Sequence, residues 1–107
     1  MLVMMLEKVP MSLRGALSRW LLQPRTGIFL GNPSARVRDE LWKQAIKKAK
    51  ESGSVLQIWT DQNPQGFSYR QTGERDRRFI DLDGLALVEF KRAQEIVKSN
   101  FSDTRTP

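Results

Sequence analysis

The run Leu2 to Leu6, LVMML, has no polar position. A strand with one wet face alternates apolar and polar residues. Five apolar residues in a row, ended by Glu7 and the turn residue Pro10, therefore read as a central strand buried on both faces. Such a strand belongs inside a layered fold. At 107 residues the chain has room for one core; a domain of this size buries roughly 60% or a little more of its unfolded surface and gains from a partner.

The rest of the chain is punctuated by proline and glycine. Ser12 is placed to cap a helix whose positions Leu13, Ala16, Leu17, Trp20 and Leu21 fall on one face, and Pro24 closes it. TGIFLG reads as a second strand between Gly27 and Gly31. A longer helix starts near Asn32 or Ser34 with Pro33 in its first turn. It turns Val37, Leu41, Ala45 and Ala49 inward with Trp42 and Ile46 beside them, and stops at Gly53. SVLQIWT and FSYRQT form a hairpin around DQNPQG, and FIDL and LALVEF form another around Asp83–Gly84. Periodicity thus gives β-α-β-α-β-β followed by a hairpin, in a domain over 1–90. The composition shifts at Lys91, so 91–107 reads as a tail or linker.

Eighteen Lys and Arg against twelve Asp and Glu leave a formal charge of +6. An acidic partner is implied, nucleic acid first and an anionic membrane second. No apolar run approaches the ~20 residues of a spanning helix, and MLVMMLEKVP is too short and lacks the basic leader of a signal peptide, so a cytoplasmic location is expected. The chain has neither cysteine nor histidine. Thiolate chemistry is excluded, and any metal would have oxygen ligands, hence magnesium, manganese or calcium.

The segment ERDRRFIDLDG, Glu74 to Gly84, concentrates the charge. Arg75, Arg77 and Arg78, with Arg14 on the first helix, offer planar forks suited to phosphate oxygens. The competing reading is a solvated loop whose arginines pair with Glu74 and Asp76. Lys47, Lys48 and Lys50 sit where a helix C-terminus favours cations. Trp20, Trp42 and Trp59 fall on apolar faces and read as core, leaving Phe67 and Tyr69 as weaker base-stacking candidates. Asp81 and Asp83 would project together from an extended segment and suit a divalent ion, but Asp83 before Gly84 is also a common tight-turn pair. Glu7, at the carboxyl end of a buried strand, has no apolar role; in a symmetric dimer it could meet its own copy and share one magnesium. One carboxylate per chain, with no histidine, is little equipment for hydrolysis of a phosphodiester.

Taken in order, EKVP, LRGALSRWLLQPRTGIFLG, SARVRDELWKQ and RRFIDLDGLALVEF resemble the CRISPR-associated adaptation family Cas2, in its subtype I-E form, over Met1 to about Phe90. The resemblance implies an α+β, ferredoxin-like β-α-β-β-α-β sandwich with extra C-terminal strands, assembled as a homodimer. Gln23 to Leu30 must then hold two abbreviated strands or one bent one, where periodicity shows only one. It also implies a role in spacer acquisition. The dimer would bridge two dimers of the integrase Cas1 and support a short duplex of captured DNA. Arg14, Arg77 and Arg78 resemble duplex-contacting positions. Ser12 stands where a relative carries a further arginine, for which Arg75 could compensate. Leu82, Leu85, Leu87, Val88 and Phe90 resemble the segment that engages the integrase. The alternative drawn from the wider family is a magnesium-dependent endonuclease acting on RNA or duplex DNA through an aspartate at the end of the first strand. Glu7 resembles that position, with a longer side chain that would place an ion differently.

Overall fold

The computed structural model describes residues 1–49, 53–73 and 77–90. The chain divides into two compact units, Met1–Glu74 and Arg75–Pro107. The first runs β1 (Leu2–Glu7), α1 (Met11–Leu17), β2 (Leu22–Arg25), β3 (Ile28–Gly31), α2 (Ala35–Lys48), β4 (Ser54–Thr60) and β5 (Phe67–Thr72). Its sheet has the order β2-β3-β1-β4-β5 with every neighbour antiparallel. Each helix therefore connects two strands that lie on either side of a third. The second unit holds the two-stranded hairpin β6 (Arg77–Leu82) and β7 (Leu85–Phe90).

The core lies between the helices and one face of the sheet. Alternate residues of β1, Leu2, Met4 and Leu6, are buried with Phe29, Val55 and the helix residues Leu13, Leu17, Leu41 and Ala45. The register puts Met4 between Phe29 and Gln57 on its neighbours, so a single layer of side chains from three strands meets the helices. Gln57 is fully buried in that layer. Its Nε2 donates to the Arg38 carbonyl at 2.9 Å and to Met4 Sδ at 3.7 Å, while Oε1 has no partner among the described residues.

The sequence expectation for β1 is corrected on its second face. Met5 is 42% exposed and Val3 is half-buried, because neither helix covers the side of the sheet to which they point. By register Val3 and Met5 share that side with Ile28, Leu30, Leu56, Ile58 and Tyr69. The uncovered face is thus apolar across four strands.

Helix α1 is shorter than its apolar period suggests. It starts after Pro10, which has no side-chain cap bond, so Ser12 lies inside the helix. The Leu17 carbonyl accepts from both Trp20 and Leu21, closing a turn that leaves Trp20 55% exposed and buries Leu21. Pro24 lies within β2, a strand that periodicity merges into helix and loop. A two-residue turn joins β2 to β3. Gly27 there has φ +82°, a Cβ would sit 2.5 Å from the Leu6 carbonyl, and its N–H donates to Gln23 Oε1 at 2.9 Å. Only glycine suits this place.

Helix α2 is capped by Ser34, whose Oγ accepts from the Val37 N–H at 3.2 Å, worth about 1 kcal/mol. Pro33 therefore precedes the helix rather than opening it, Ile46 is exposed, and the helix ends at Lys48 rather than running to Gly53. Lys47 and Lys48 occupy its last turn, as the dipole favours; Lys50 lies outside the described residues, as does the tail from Lys91. No helix of the described residues is long and apolar enough to cross a membrane.

Candidate nucleic-acid interface

The arginines sort by what already holds them. Arg38 on α2 lies over the Trp59 ring, 4.3 Å from its centroid, and its Nε donates to Asp39 at 3.2 Å. Arg70 on β5 also donates to Asp39 and faces Trp59 and Trp42 at 4.8 and 5.7 Å. The Arg70 hydrogen bond, followed by that of Arg38, holds the Asp39 carboxyl below the usual carboxylate range against the cost of desolvation. These two arginines tie α2 and the edge strand to β4, so they serve the scaffold. Trp42 and Trp59 are partly buried against the core, as the sequence implied, and Trp20 is not.

Arg14 stands in the last turn of α1, half-buried, with its Nε buried and no acceptor for it among the described residues. A buried donor without an acceptor costs about 1 to 3 kcal/mol. Ser18 Oγ donates to the Arg14 carbonyl at 2.9 Å, fixing the turn but leaving Nε unsatisfied.

Arg77 and Arg78 are strand residues, not loop residues. Both open β6, and the register sets Arg77 opposite Phe90 and Arg78 opposite Glu89. The Arg77 guanidinium lies 4.4 Å from the Phe90 ring centroid. Arg78 donates through Nε to Glu89 Oε1 at 3.0 Å, and its Nη2 makes an ion pair with the same oxygen at 3.0 Å. Glu74, Arg75 and Asp76 lie outside the described residues.

Asp83 and Gly84 form the turn of the hairpin with φ of +55° and +81°, the mirror-image geometry that favours Asp-Gly. Asp83 therefore serves the turn, and Asp81 stands opposite Ala86 rather than beside a second acid. Glu7 ends β1, exposed, opposite Ser54 in the register. Among the described residues no three Asp or Glu come together in a way that could hold a metal. The described donors of one chain thus do not make a magnesium centre.

The residues expected to meet the integrase are exposed in the hairpin: Leu82, Leu85, Leu87 and Val88. Phe90 is half-buried. Alternation places Phe79 and Val88 on one hairpin face and Ile80 and Leu87 on the other, so both faces are apolar. A two-stranded ribbon of this kind is marginal by itself.

A family model described as CRISPR-associated protein (Cas_Cas2CT1978) matches residues 1–87. The chain belongs to this family. The Cas2 family model of subtype I-E type thus takes in both helices, all five strands of the sheet and the hairpin up to Leu87. Within this Cas2-family chain, sequence reading found the arginine pair and the apolar hairpin but missed Glu89. Counting outward from the Asp83–Gly84 turn pairs it with Arg78.

Proposed function

We propose that this Cas2-family chain is a dimeric scaffold of CRISPR adaptation that binds duplex DNA without cutting it and engages the integrase Cas1 through its terminal hairpin. The observation that carries the DNA reading is Arg14, a half-buried arginine on the helix that the LRG resemblance marks, which no carboxylate holds among the described residues. Arg77 and Arg78 add two guanidinium groups on the hairpin, and Arg75 is a further candidate. The strand order β2-β3-β1-β4, with each helix spanning an intervening strand, supports the ferredoxin-like reading. The uncovered apolar sheet face supports a homodimer. Leu82, Leu85, Leu87, Val88 and Phe90 give the hairpin an apolar surface for Cas1, and a cytoplasmic site of action follows from the partners.

Phosphate contacts position a duplex without reading its sequence. Fluorescence anisotropy with labelled duplexes of unrelated sequence should give similar affinities that fall steeply between about 50 and 200 mM salt. Arg14→Ala should weaken binding to all of them alike and reduce the log-log salt slope by about 0.9 for each phosphate no longer neutralised. A flat salt response, or an unchanged slope in Arg14→Ala, would overturn the reading.

A magnesium-dependent endonuclease centred on Glu7 is the second reading. The acid's place at the end of β1, beside the uncovered face, is what favours it: two copies would have to pool their carboxylates there.

A further inference from the structure

Among the described residues, Arg78 is the one proposed DNA contact that the protein already holds by a carboxylate. Its Nε and Nη2 converge on Glu89 Oε1, both at 3.0 Å, from directly across the hairpin. The Arg78 side chain is 64% exposed and that of Glu89 40%, so the pair sits at the surface, where such bridges hold weakly. A phosphate oxygen would use the same fork of N–H donors that the carboxylate occupies. We infer that Glu89 is an affinity-setting residue that occupies the Nε–Nη2 edge of Arg78 as an internal anion and competes with a DNA phosphate for that guanidinium.

This inference rests on the DNA-binding reading of Arg78 and adds a cost to it. The displaced Glu89 carboxylate remains on the neighbouring strand, close to the bound phosphate, and repels it. Net charge neutralised at the site is smaller than one arginine implies, and fewer counterions leave the duplex. Arg77 faces no such competitor among the described residues, since its register partner is the Phe90 ring. The arginine pair is therefore unequal: adjacent in sequence, alternate in facing, and held differently.

The opposite expectation is that Glu89 aims the Arg78 fork at the phosphate and aids binding. Charge decides between them. An aiming carboxylate must keep its own bond to the guanidinium while the phosphate binds. Both Arg78 contacts to Glu89 end on a single oxygen at the Nε–Nη2 edge, so aiming would hold a phosphate at the remaining Nη1 and Nη2 hydrogens beside a like-charged carboxylate, which repels it.

The test compares wild type, Glu89→Gln, Arg78→Ala and the double variant, with anisotropy of one labelled duplex across a salt series. Glutamine keeps the size of the side chain and an oxygen able to accept one bond, and circular dichroism checks that the hairpin persists. Glu89→Gln should bind about two- to fivefold more tightly per hairpin, the range in which surface pairs fall. It should also steepen the log-log salt slope by up to about 0.9. The gain should vanish in the double variant. Glu89→Gln binding no tighter than wild type, while Arg78→Ala binds more weakly, would overturn the inference and leave the DNA-binding role of Arg78 standing. A gain that survives in the double variant would also overturn it, by showing a general charge effect. Arg78→Ala binding as tightly as wild type would remove Arg78 from the interface and the inference with it.

Discussion

The Arg70 guanidinium lies 4.8 Å from the centre of the Trp59 ring, so the edge strand β5 is fastened to β4 by a cation on an aromatic face as well as by the ladder. Arg38 reaches the same indole from α2, at 4.3 Å. Asp39 lies between the two cations and accepts from both. One half-buried ring thus joins a helix and two strands.

Arg70→Lys tests this arrangement. Lysine keeps the charge but loses the planar group that stacks on Trp59 and Trp42 and bonds Asp39. A loss of about 1 kcal/mol is expected, and roughly 1 to 2 for Arg70→Ala, where the aliphatic stem goes too. Urea unfolding followed by tryptophan fluorescence measures both. Equal stability of Arg70→Lys and wild type would show that charge alone matters.

Acid should loosen the same region. The Ser68 hydroxyl, then the Gln62 N–H, hold the Asp61 carboxyl below the usual range, and Arg70 does the same for Asp39. A carboxyl lowered in the folded state contributes stability above its unfolded value, and that contribution is lost as pH falls through the lowered value. Stability should be level near neutrality and fall below about pH 4. Asp61→Asn should flatten the acid limb, as read from urea midpoints across pH. An acid limb as steep in Asp61→Asn as in wild type would remove Asp61 from the account.

Much of this fold is legible in the sequence because its signals are local. β4 and β5 fall where SVLQIWT and FSYRQT stand, and Asp83–Gly84 makes the turn its residue types favour. β2 is illegible by periodicity. Its four residues, Leu22–Arg25, are all exposed on an edge strand and include a proline, so no buried alternation marks them. Only the family resemblance requires a second strand there. Trp20 departs from its expected place for a related reason: the chain leaves the helix at Leu17, and Leu21 reaches the core after a turn rather than along a helical face. The uncovered face of β1 is unreadable because an apolar run says that cover is needed without saying which chain provides it. In the candidate site, residue types identify the arginines, but what restrains each one depends on strand register.

The uncovered face should be where two copies meet. Met5 is central to it, flanked in the register by Ile28 and Leu56, and points away from the helices. A carboxylate there would enter the middle of an apolar contact while leaving the core intact. Met5→Glu should remain folded by circular dichroism and weaken self-association about 100-fold or more, seen by light scattering as a shift from dimer to monomer. A dimer that survives the substitution would place the contact elsewhere.

Glu7→Ala separates the scaffold from the nuclease. Glu7 is exposed at the end of β1 and lies outside the core, so its removal should leave stability within about 0.5 kcal/mol. Labelled duplex DNA and single-stranded RNA, incubated with magnesium or with chelator, should show no cleavage that distinguishes the variant from wild type. Duplex affinity should also be unchanged, because the proposed phosphate contacts are arginines distinct from Glu7. Magnesium-dependent cutting by wild type that disappears in Glu7→Ala would make Glu7 the centre of an enzyme. The dimer would then be needed for its chemistry if Glu7 is the one carboxylate at that end of the strand, as it is among the described residues.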